Sequence, residues 1–496
     1  MTNQDLLNIA QEFGTPVYVY DADSIKTQYE KLKTSFGEQT KFFYACKSLT
    51  NINILKYVEK LGANLDCVSI NEVKLGLKAG FSPERILFTP NCVDLAEIEE
   101  AMAEKVHINI DNISILEQFG NKFGDSYPIF IRINPHIFAG GNYKISTGHI
   151  DSKFGISIHQ LRHIERVMKT TNVNVEGLHM HTGSEIKDPE VFLQGLEIMF
   201  ELSEKFPNIK YIDMGSGFKV PYNKGEMETD VKSLGKKVEK AVSKFKEETG
   251  KDFELWFEPG KYLVSKSGHF LVKSNVIKQT TATVFVGVNS GFNHLIRPMF
   301  YDSYHIIENL SNPKGPERIY TVVGNICETD TFAWDRKLHE VRESDVLVFR
   351  NAGAYGFEMS SNFNSRLKPA EVLFLDGKAH LIRKREEFEE EKRKELEDFK
   401  DLLYSAERFR KTNILREYIN AFENHAIEDG ETDDELLAKI QWAREKADWL
   451  DPFIAKKDNY LNSYDMDRIL QAAVPERSYR NSGYSFWTKP YWKKKR

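Results

Sequence analysis

Eight times between residues 40 and 260, a short apolar run ends in a polar or glycine-bearing turn and a stretch of helical period follows. The runs are "KFFYACK", "NLDCVS", "RILFTPN", "VHINIDN", "PIFIRINP", "VEGLHMHTG", "YIDMGSG" and "ELWFEPG". No other feature restricts the fold so much. A strand that returns parallel to its neighbour needs a crossover, and a helix is the usual one. Eight such units in about 220 residues fit a (β/α)8 barrel, which typically takes ~250 residues. The rival is an open doubly wound sheet, whose glycine-rich fingerprint should follow the first strand; "ACKSLTN" does not supply one. Helix signals lie where the barrel needs them. Ser69 with Glu72 predicts a capping box, and Gly80 predicts the end of that helix. Asp188 followed by Pro189 opens another.

A barrel places its functional groups at the carboxyl ends of its strands. Those ends read Lys47, Asp66, Asn91, Asn134, His179 and His181, Gly215 to Gly217, and Glu258. Fold stability alone does not require a polar or glycine group at nearly every strand end. Lys47 is the most pointed case, because lysine is the side chain most costly to bury after the run Phe42, Phe43, Tyr44, Ala45.

Beyond Gly260 the texture changes to β-rich, partly alternating runs such as "HFLVKSNVIKQTTATVFVGV" and "AEVLFLDGKAHLIRKRE". The expected class is therefore α/β: a (β/α)8 barrel over 25–258, and a β-rich domain over 259–386 to which residues 1–24 contribute a strand, "TPVYVYD". A mainly helical extension over 387–496 follows, highly charged at its start and aromatic and basic at its end, "YSFWTKPYWKKKR". Its tryptophans, Trp442, Trp449, Trp487 and Trp492, suit a docking module or a helical appendage packed on its own enzyme.

Composition narrows the partners. Hydrophobic residues make up 41% and charged residues 29% of the 496, as in a globular protein with a sizeable core. A net charge of −6 points to neither nucleic acid nor membrane, and no apolar run is long enough to span a bilayer. The 4 cysteines, Cys46, Cys67, Cys92 and Cys327, form no metal-ligand or disulfide pattern and fit a reducing cytoplasm. The first residues, "MTNQDLLNIAQEFG", do not read as a signal peptide.

A lysine at a strand end in a cleft has one common use, an imine with a carbonyl compound, and pyridoxal 5'-phosphate is the leading cofactor for it. That cofactor also needs a phosphate cradle and a partner for its pyridine nitrogen. "DMGSGF" can present backbone N–H groups to a phosphate, and barrel phosphate sites often follow strands seven and eight. Glu258 can keep the pyridine nitrogen protonated, His181 can lie flat on the ring, and Ser184 can reach the phosphate. Each has a plainer reading. A strand-end lysine is ordinarily a solvated charge, "GSG" is more often a turn, and Glu258 suits a salt bridge. "HMH" also has the spacing of two metal ligands, although no third stands near it in sequence.

With those residues in place the chain resembles the diaminopimelate decarboxylases, members of the pyridoxal-phosphate-dependent family with an alanine-racemase-like barrel. The resemblance covers roughly residues 10 to 385 and rests on "FFYACKS", "STGHIDSKFGI", "GLHMHTGSE", "DMGSGF", "FEPGKYLVSKSG", "NHLIRPMFYDSYH", "VVGNICETD" and "NAGAYGFEMSSNFNSRLKPAEV". It implies decarboxylation of meso-2,6-diaminopimelate to L-lysine and CO2, the last step of lysine biosynthesis. It implies Lys47 as the Schiff-base lysine, His181 stacked on the ring and Glu258 at its nitrogen. Ser184, Gly215, Ser216, Gly217, Gly260 and Tyr355 are implied around the cofactor. Arg297, Tyr301, Lys261 and Tyr355 are implied at the substrate, with Glu328 at its distal ammonium. Cys327 becomes the acid that returns a proton to the α-carbon. In this family "CETD" crosses a dimer interface, so a cytoplasmic homodimer with shared active sites is expected, without a metal.

The chain departs from the family pattern in places. Lys261 stands where arginine is commoner, keeping the charge but losing the bidentate fork. Ser216 interrupts a run of glycines, Phe363 replaces a tyrosine, and Thr182 stands where isoleucine is frequent. Relatives acting on ornithine, arginine or carboxynorspermidine are the alternative, as is an amino-acid racemase, which needs a catalytic tyrosine in place of "CETD". Arg297 in "IRPMFY" argues for a substrate with a distal carboxylate.

Overall fold

In a computed structural model, eight parallel strands close on one another in a ring. They are Thr40–Ala45, Asn64–Cys67, Ile86–Phe88, His107–Ile110, Ile129–Asn134, Val175–His179, Tyr211–Asp213 and Glu254–Phe257. Each pairs in parallel with the next, and the eighth returns to the first through Leu255 opposite Thr40. The described residues are 1–137, 148, 150–430, 433–461, 466 and 470. Every run expected to be a strand is one; Asp66, Asn134 and His179 lie within their strands, whereas Lys47, Asn91, His181, Gly215 to Gly217 and Glu258 lie in the turns of the rim.

The interior of the ring is filled. Phe43, Leu87, Phe130 and Trp256 form a buried plug, with the rings of Phe43 and Trp256 4.3 Å apart. A Cβ on Gly177, in the sixth strand, would stand 2.2 Å from the Phe130 ring, so the plug requires glycine there. A plugged barrel leaves the carboxyl rim as the open end.

The helix signals hold with one adjustment. Ser69 Oγ accepts from Glu72 N at 3.3 Å at the start of helix Ile70–Ala79, and Gly80 ends it at φ 110°. The Glu72 carboxylate reaches back to Val68 N at 2.8 Å, one residue beyond the reciprocal position of a capping box. Asp188 caps helix Pro189–Ser203, accepting from Glu190 N at 2.9 Å.

The second sheet is built from strands Gly268–Gln279, Val284–Val288, Ile307–Asn309, Glu317–Val323, Thr331–His339, Val346–Phe349, Ala370–Leu375 and Lys378–Arg383. The early strand Val17–Asp21 enters it, antiparallel to Gly268–Gln279 and parallel to Ala370–Leu375. The sheet is tied to the barrel rim through Glu371, a carboxylate with no exposed surface. It accepts from Tyr20 Oη at 2.7 Å and Asn51 Nδ2 at 2.8 Å, and it pairs with Arg383. Asn51 stands four residues after Lys47, so this network braces the lysine's own segment.

Residues 1–386 form one compact unit and 387–496 a second. In the second, helices Phe388–Glu428 and Asp434–Leu450 pack through Ile419, Ala426, Leu436, Ile440, Ala443 and Ala447. Arg416 fastens them to Asp448 at 2.8 Å and Asp451 at 2.6 Å. Trp449 is buried and Trp442 half-exposed; Trp487, Trp492 and the end "YSFWTKPYWKKKR" lie outside the described residues. Among the described residues, no helix is long and apolar enough to cross a membrane.

Candidate active site

Lys47 follows the first barrel strand in a single 3-10 turn, Cys46–Ser48. The turn tips its side chain over the rim, where Nζ donates to Asp66 Oδ2 at 3.3 Å. Asp66 ends the second strand with no exposed surface, and Thr89, after the third, donates to its other oxygen. Burial works against the lysine's charge, but Asp66 first, then Tyr355 and Glu258, outweigh it and raise its pKa above the ordinary value.

Glu258, at the end of the eighth strand, is buried. Nε2 of His179 lies 3.3 Å from its Oε2. Burial alone would raise the Glu258 pKa; His179, then Lys47 and His181, hold it down at about 2. Its other oxygen, Oε1, is buried without a hydrogen-bond partner. Behind it stands Asp213, pushed toward its neutral form by burial and by the Glu258 charge. Asn109 meets the Nδ1 side of His179, so that ring is held from both sides. His179, Asp213 and Glu258 present ligand atoms within 4.8 Å of one another. His181 is not part of that group.

His181 turns the other way. Its Nδ1 accepts from Ser216 N at 3.2 Å, and burial, followed by Arg132, lowers its pKa to about 3. It is a neutral, flat surface beside the glycine turn. Gly215 and Gly217 are required there. A Cβ on Gly215 would meet His181 Nδ1 at 2.5 Å, and one on Gly217, at φ 107°, would meet Gly183 O at 2.2 Å. Ser216 fits between them, donating its hydroxyl to Glu258 O at 2.9 Å.

These groups line one cleft with two lobes. Lys47, His181 and Glu258 border both. The smaller lobe adds Ser184, Ser216, Gly217, Gly260, Lys261 and Tyr355. The larger, about 350 Å³, adds Thr89, Asn91, Arg132 and Phe154. Tyr355 arrives from the β-rich part of the unit, its N–H donating to Ser48 O at 2.9 Å. Lys261 donates to Ser184 Oγ at 2.9 Å. A larger cavity, about 850 Å³, lies elsewhere, among Tyr304, Trp334 and Arg336, and none of the expected site residues lines it.

Arg297 and Tyr301 share a short helix, Arg297–Tyr301. The guanidinium lies 5.3 Å from the Tyr222 ring and 6.0 Å from the Tyr301 ring, and its Nη2 reaches Ser303 Oγ at 3.3 Å. Its Nε is buried with no hydrogen-bond partner. Cys327 and Glu328 are not brought to the cleft. Both are exposed on a loop whose base is pinned by Asp330, which accepts from Phe292 N at 2.7 Å. Asn364 holds Cys327 on that loop, accepting from its N–H at 3.1 Å and donating to Sγ at 3.3 Å. Of the sequence motifs, Ser146, Thr147 and His149 of "STGHIDSKFGI" lie outside the described residues.

Arg132, Thr89 and Asp213 belong to the site and were not singled out in the sequence. The signal for two of them was present: Arg132 is a charge inside "PIFIRINP", and Asp213 one inside "YIDMGSG".

The residues fit pyridoxal 5'-phosphate. A buried carboxylate oxygen without a partner suits a ring N–H, and two glycines whose Cβ atoms would collide leave backbone open beside it.

Comparisons with known proteins agree. The model of the pyridoxal-binding domain of pyridoxal-dependent decarboxylases matches residues 22–265. The diaminopimelate decarboxylase of Methanothermobacter thermautotrophicus is 37% identical over 395 residues, 77% of this chain and 92% of its own length. That of Campylobacter jejuni is 35% identical over 398 residues, 78% of this chain and 97% of its own. The crystal structure of diaminopimelate decarboxylase from Helicobacter pylori complexed with L-lysine has a TM-score of 0.73 at 30% identity, covering 80% of this chain and all of its own. The lysine/ornithine decarboxylase of Vibrio vulnificus, at 20% identity and a TM-score of 0.66, shares the fold.

Proposed function

The chain belongs to the diaminopimelate decarboxylases, a branch of the pyridoxal-dependent decarboxylases, and on that premise we propose how its own residues release CO2 from meso-2,6-diaminopimelate to leave L-lysine. Pyridoxal 5'-phosphate is its cofactor. When bound, it supplies an aldehyde for an amine and a cationic ring that takes up the electron pair left as CO2 departs.

The barrel, residues 25–258, holds the cofactor. Lys47 would supply the amine that holds the cofactor between turnovers. Glu258, its pKa held down at about 2, would accept the ring N–H through the buried, unpartnered Oε1 and so favour the cationic ring. Neutral His181 would lie against the ring without opposing its charge. Ser184, Gly215, Ser216, Gly217, Gly260 and Tyr355 would surround the phosphate, with Lys261 beside Ser184.

Substrate selection falls to the domain of 259–386, with residues 1–24. Arg297, with an unspent buried N–H, and Tyr301 hold the distal carboxylate, and Glu328 holds the distal ammonium. That demand for both groups favours meso-diaminopimelate over ornithine, arginine or carboxynorspermidine. Cys327 passes its thiol proton to the α-carbon once CO2 has left. Within one chain Cys327 and Glu328 are exposed and away from Lys47, which supports a homodimer in which each copy completes the other's cleft. A cytoplasmic setting suits four free cysteines.

The meeting of Lys47, His181 and the half-partnered Glu258 in one cleft carries this reading. The experiment is to mix Lys47→Ala with pyridoxal 5'-phosphate and to assay CO2 release from meso-diaminopimelate. Both the absorbance band of lysine-bound cofactor and the gas should vanish; a surviving band refutes the lysine's role. Separately purified Cys327→Ala and Lys47→Ala chains, each inactive alone, should recover activity on mixing, since one mixed cleft is intact.

A further inference from the structure

Lys261 stands where the family resemblance leads one to expect arginine. An ammonium has three N–H donors and no fork to orient it. Here two donors are already used, one by Ser184 Oγ at 2.9 Å and one by a carboxylate oxygen of Glu185. The second oxygen of Glu185 takes Lys219 at 3.1 Å, and Lys219 also meets Glu226 at 3.4 Å. Two cations therefore face two carboxylates, and the cluster brings no net charge to the phosphate side of the cleft.

These groups are poorly solvated: the Lys261 side chain is 9% exposed, Lys219 11% and Glu185 21%. Partial burial strengthens their mutual attraction. Glu185 is also held at φ 66°, an unusual conformation for a residue with a side chain. Its carboxylate meets Lys261, which lines the same cleft as Gly217 and Tyr355.

We infer that Glu185 is an internal anion that competes with the cofactor's phosphate for Lys261, and so sets how tightly this site holds a phosphorylated ligand. This rests on the reading above, in which Ser184, Gly217 and Tyr355 face the phosphate. Lys219 acts in the opposite sense, because it draws on the same carboxylate and loosens its hold on Lys261. Glu185 is a positioning residue: it acts on the ligand through Lys261.

The test compares pyridoxal 5'-phosphate with pyridoxal, which lacks the phosphate, on the apo full-length protein. Dissociation constants come from the absorbance of cofactor joined to Lys47. Glu185→Gln keeps the side chain's shape and an acceptor for Lys261 but removes the charge. It should bind pyridoxal 5'-phosphate about tenfold more tightly, with pyridoxal unchanged. Lys219→Gln should weaken pyridoxal 5'-phosphate severalfold and also leave pyridoxal unchanged. Local damage would weaken both ligands in both variants, so the opposite signs and the phosphate dependence separate the two causes. Equal or weaker binding of pyridoxal 5'-phosphate to Glu185→Gln, or equal changes for both ligands, overturns the inference. If Lys47 captures neither ligand in the unmodified protein, the active-site reading fails and takes the inference with it.

Discussion

The Lys47 ammonium stands 3.3 Å from Oδ2 of Asp66, a carboxylate with no exposed surface. The pairing explains how the first barrel strand can end in a lysine: its charge is met by a buried carboxylate. It also holds the lysine protonated, whereas condensation with an aldehyde needs the free amine. Because the folded pKa is raised, the reactive amine is scarce at neutral pH and grows about tenfold per pH unit below that pKa. Asp66→Asn removes the main cause of the rise. The variant should capture pyridoxal 5'-phosphate faster than the unmodified protein at about pH 7, with its rate profile displaced to lower pH. Stopped-flow absorbance checks this, and an unchanged profile would show that Asp66 does not govern the amine.

Gly217 offers a harsher test of the glycine turn. It sits at φ 107°, and a Cβ would lie 2.2 Å from the carbonyl oxygen of Gly183. That neighbour is backbone and cannot swing aside. Gly217→Ala should therefore cost a few kcal/mol of stability and disturb the cofactor side of the cleft together. Ser216→Gly loses one hydroxyl contact, to Glu258 O at 2.9 Å, and should cost only about 1 kcal/mol. Thermal melts of the apo proteins rank the two, and equal costs would mean that the turn is looser than its geometry.

The eight strands were legible because short apolar runs alternate with segments of helical period between Lys41 and Glu258. Lys47, His181 and Glu258 were legible because a barrel assigns strand ends to its mouth. Arg132 was not, because a charge inside an apolar run gives no hint of which carboxylates it will face; here they are Glu258, Asp111 and Asp66, each on a different strand end. The direction of His179 was also hidden. Histidines two apart share a strand face only while the strand continues, and this one stops at His179, which frees His181 to turn toward Ser216. Glu185 was illegible for a related reason: its partners Lys219 and Lys261 are separated from it by whole βα units.

Glu72 gives a pH prediction with a definite sign. Burial, with Asp66 adding to it, raises its pKa from 4.5 to about 7 against the opposing hydrogen bond from Val68 N. The folded state thus holds this proton more tightly than the unfolded chain. Between about pH 4.5 and 7 the native protein binds more protons, so stability falls as pH rises, and the loss is complete above about 7. Glu72→Gln keeps an acceptor for Val68 N and removes the ionisation. It should flatten stability across that window and gain about 1–3 kcal/mol at about pH 8. Urea unfolding at several pH values measures both effects. A variant less stable than the unmodified protein at the alkaline end would mean that the carboxylate's hydrogen bond outweighs its desolvation.

The extension carries the last prediction. Its long helix, Phe388–Glu428, is apolar on two different faces. Leu415, Ile419, Phe422 and Ala426, at helical spacing, meet the second helix, whereas Leu396, Phe399, Leu402 and Leu403 in the first half are exposed within this unit. Phe399 and Ile419 are 20 residues apart, about 5.6 turns, which puts them on nearly opposite sides. Among the described residues, the pair is packed through the second half of the long helix, against Ile440 and its neighbours. Ile440→Ala should cost about 2–5 kcal/mol in that pair. All the residues assigned to the cofactor cleft lie between Lys47 and Tyr355, so a chain ending at residue 386 should still capture pyridoxal 5'-phosphate through Lys47. Full-length Ile440→Ala should lose helical circular dichroism at a lower temperature while its cofactor affinity stays unchanged. If truncation abolishes cofactor capture while the remaining chain stays folded by near-ultraviolet circular dichroism, the extension is needed by the cleft, and the independence argued here from the two compact units is wrong.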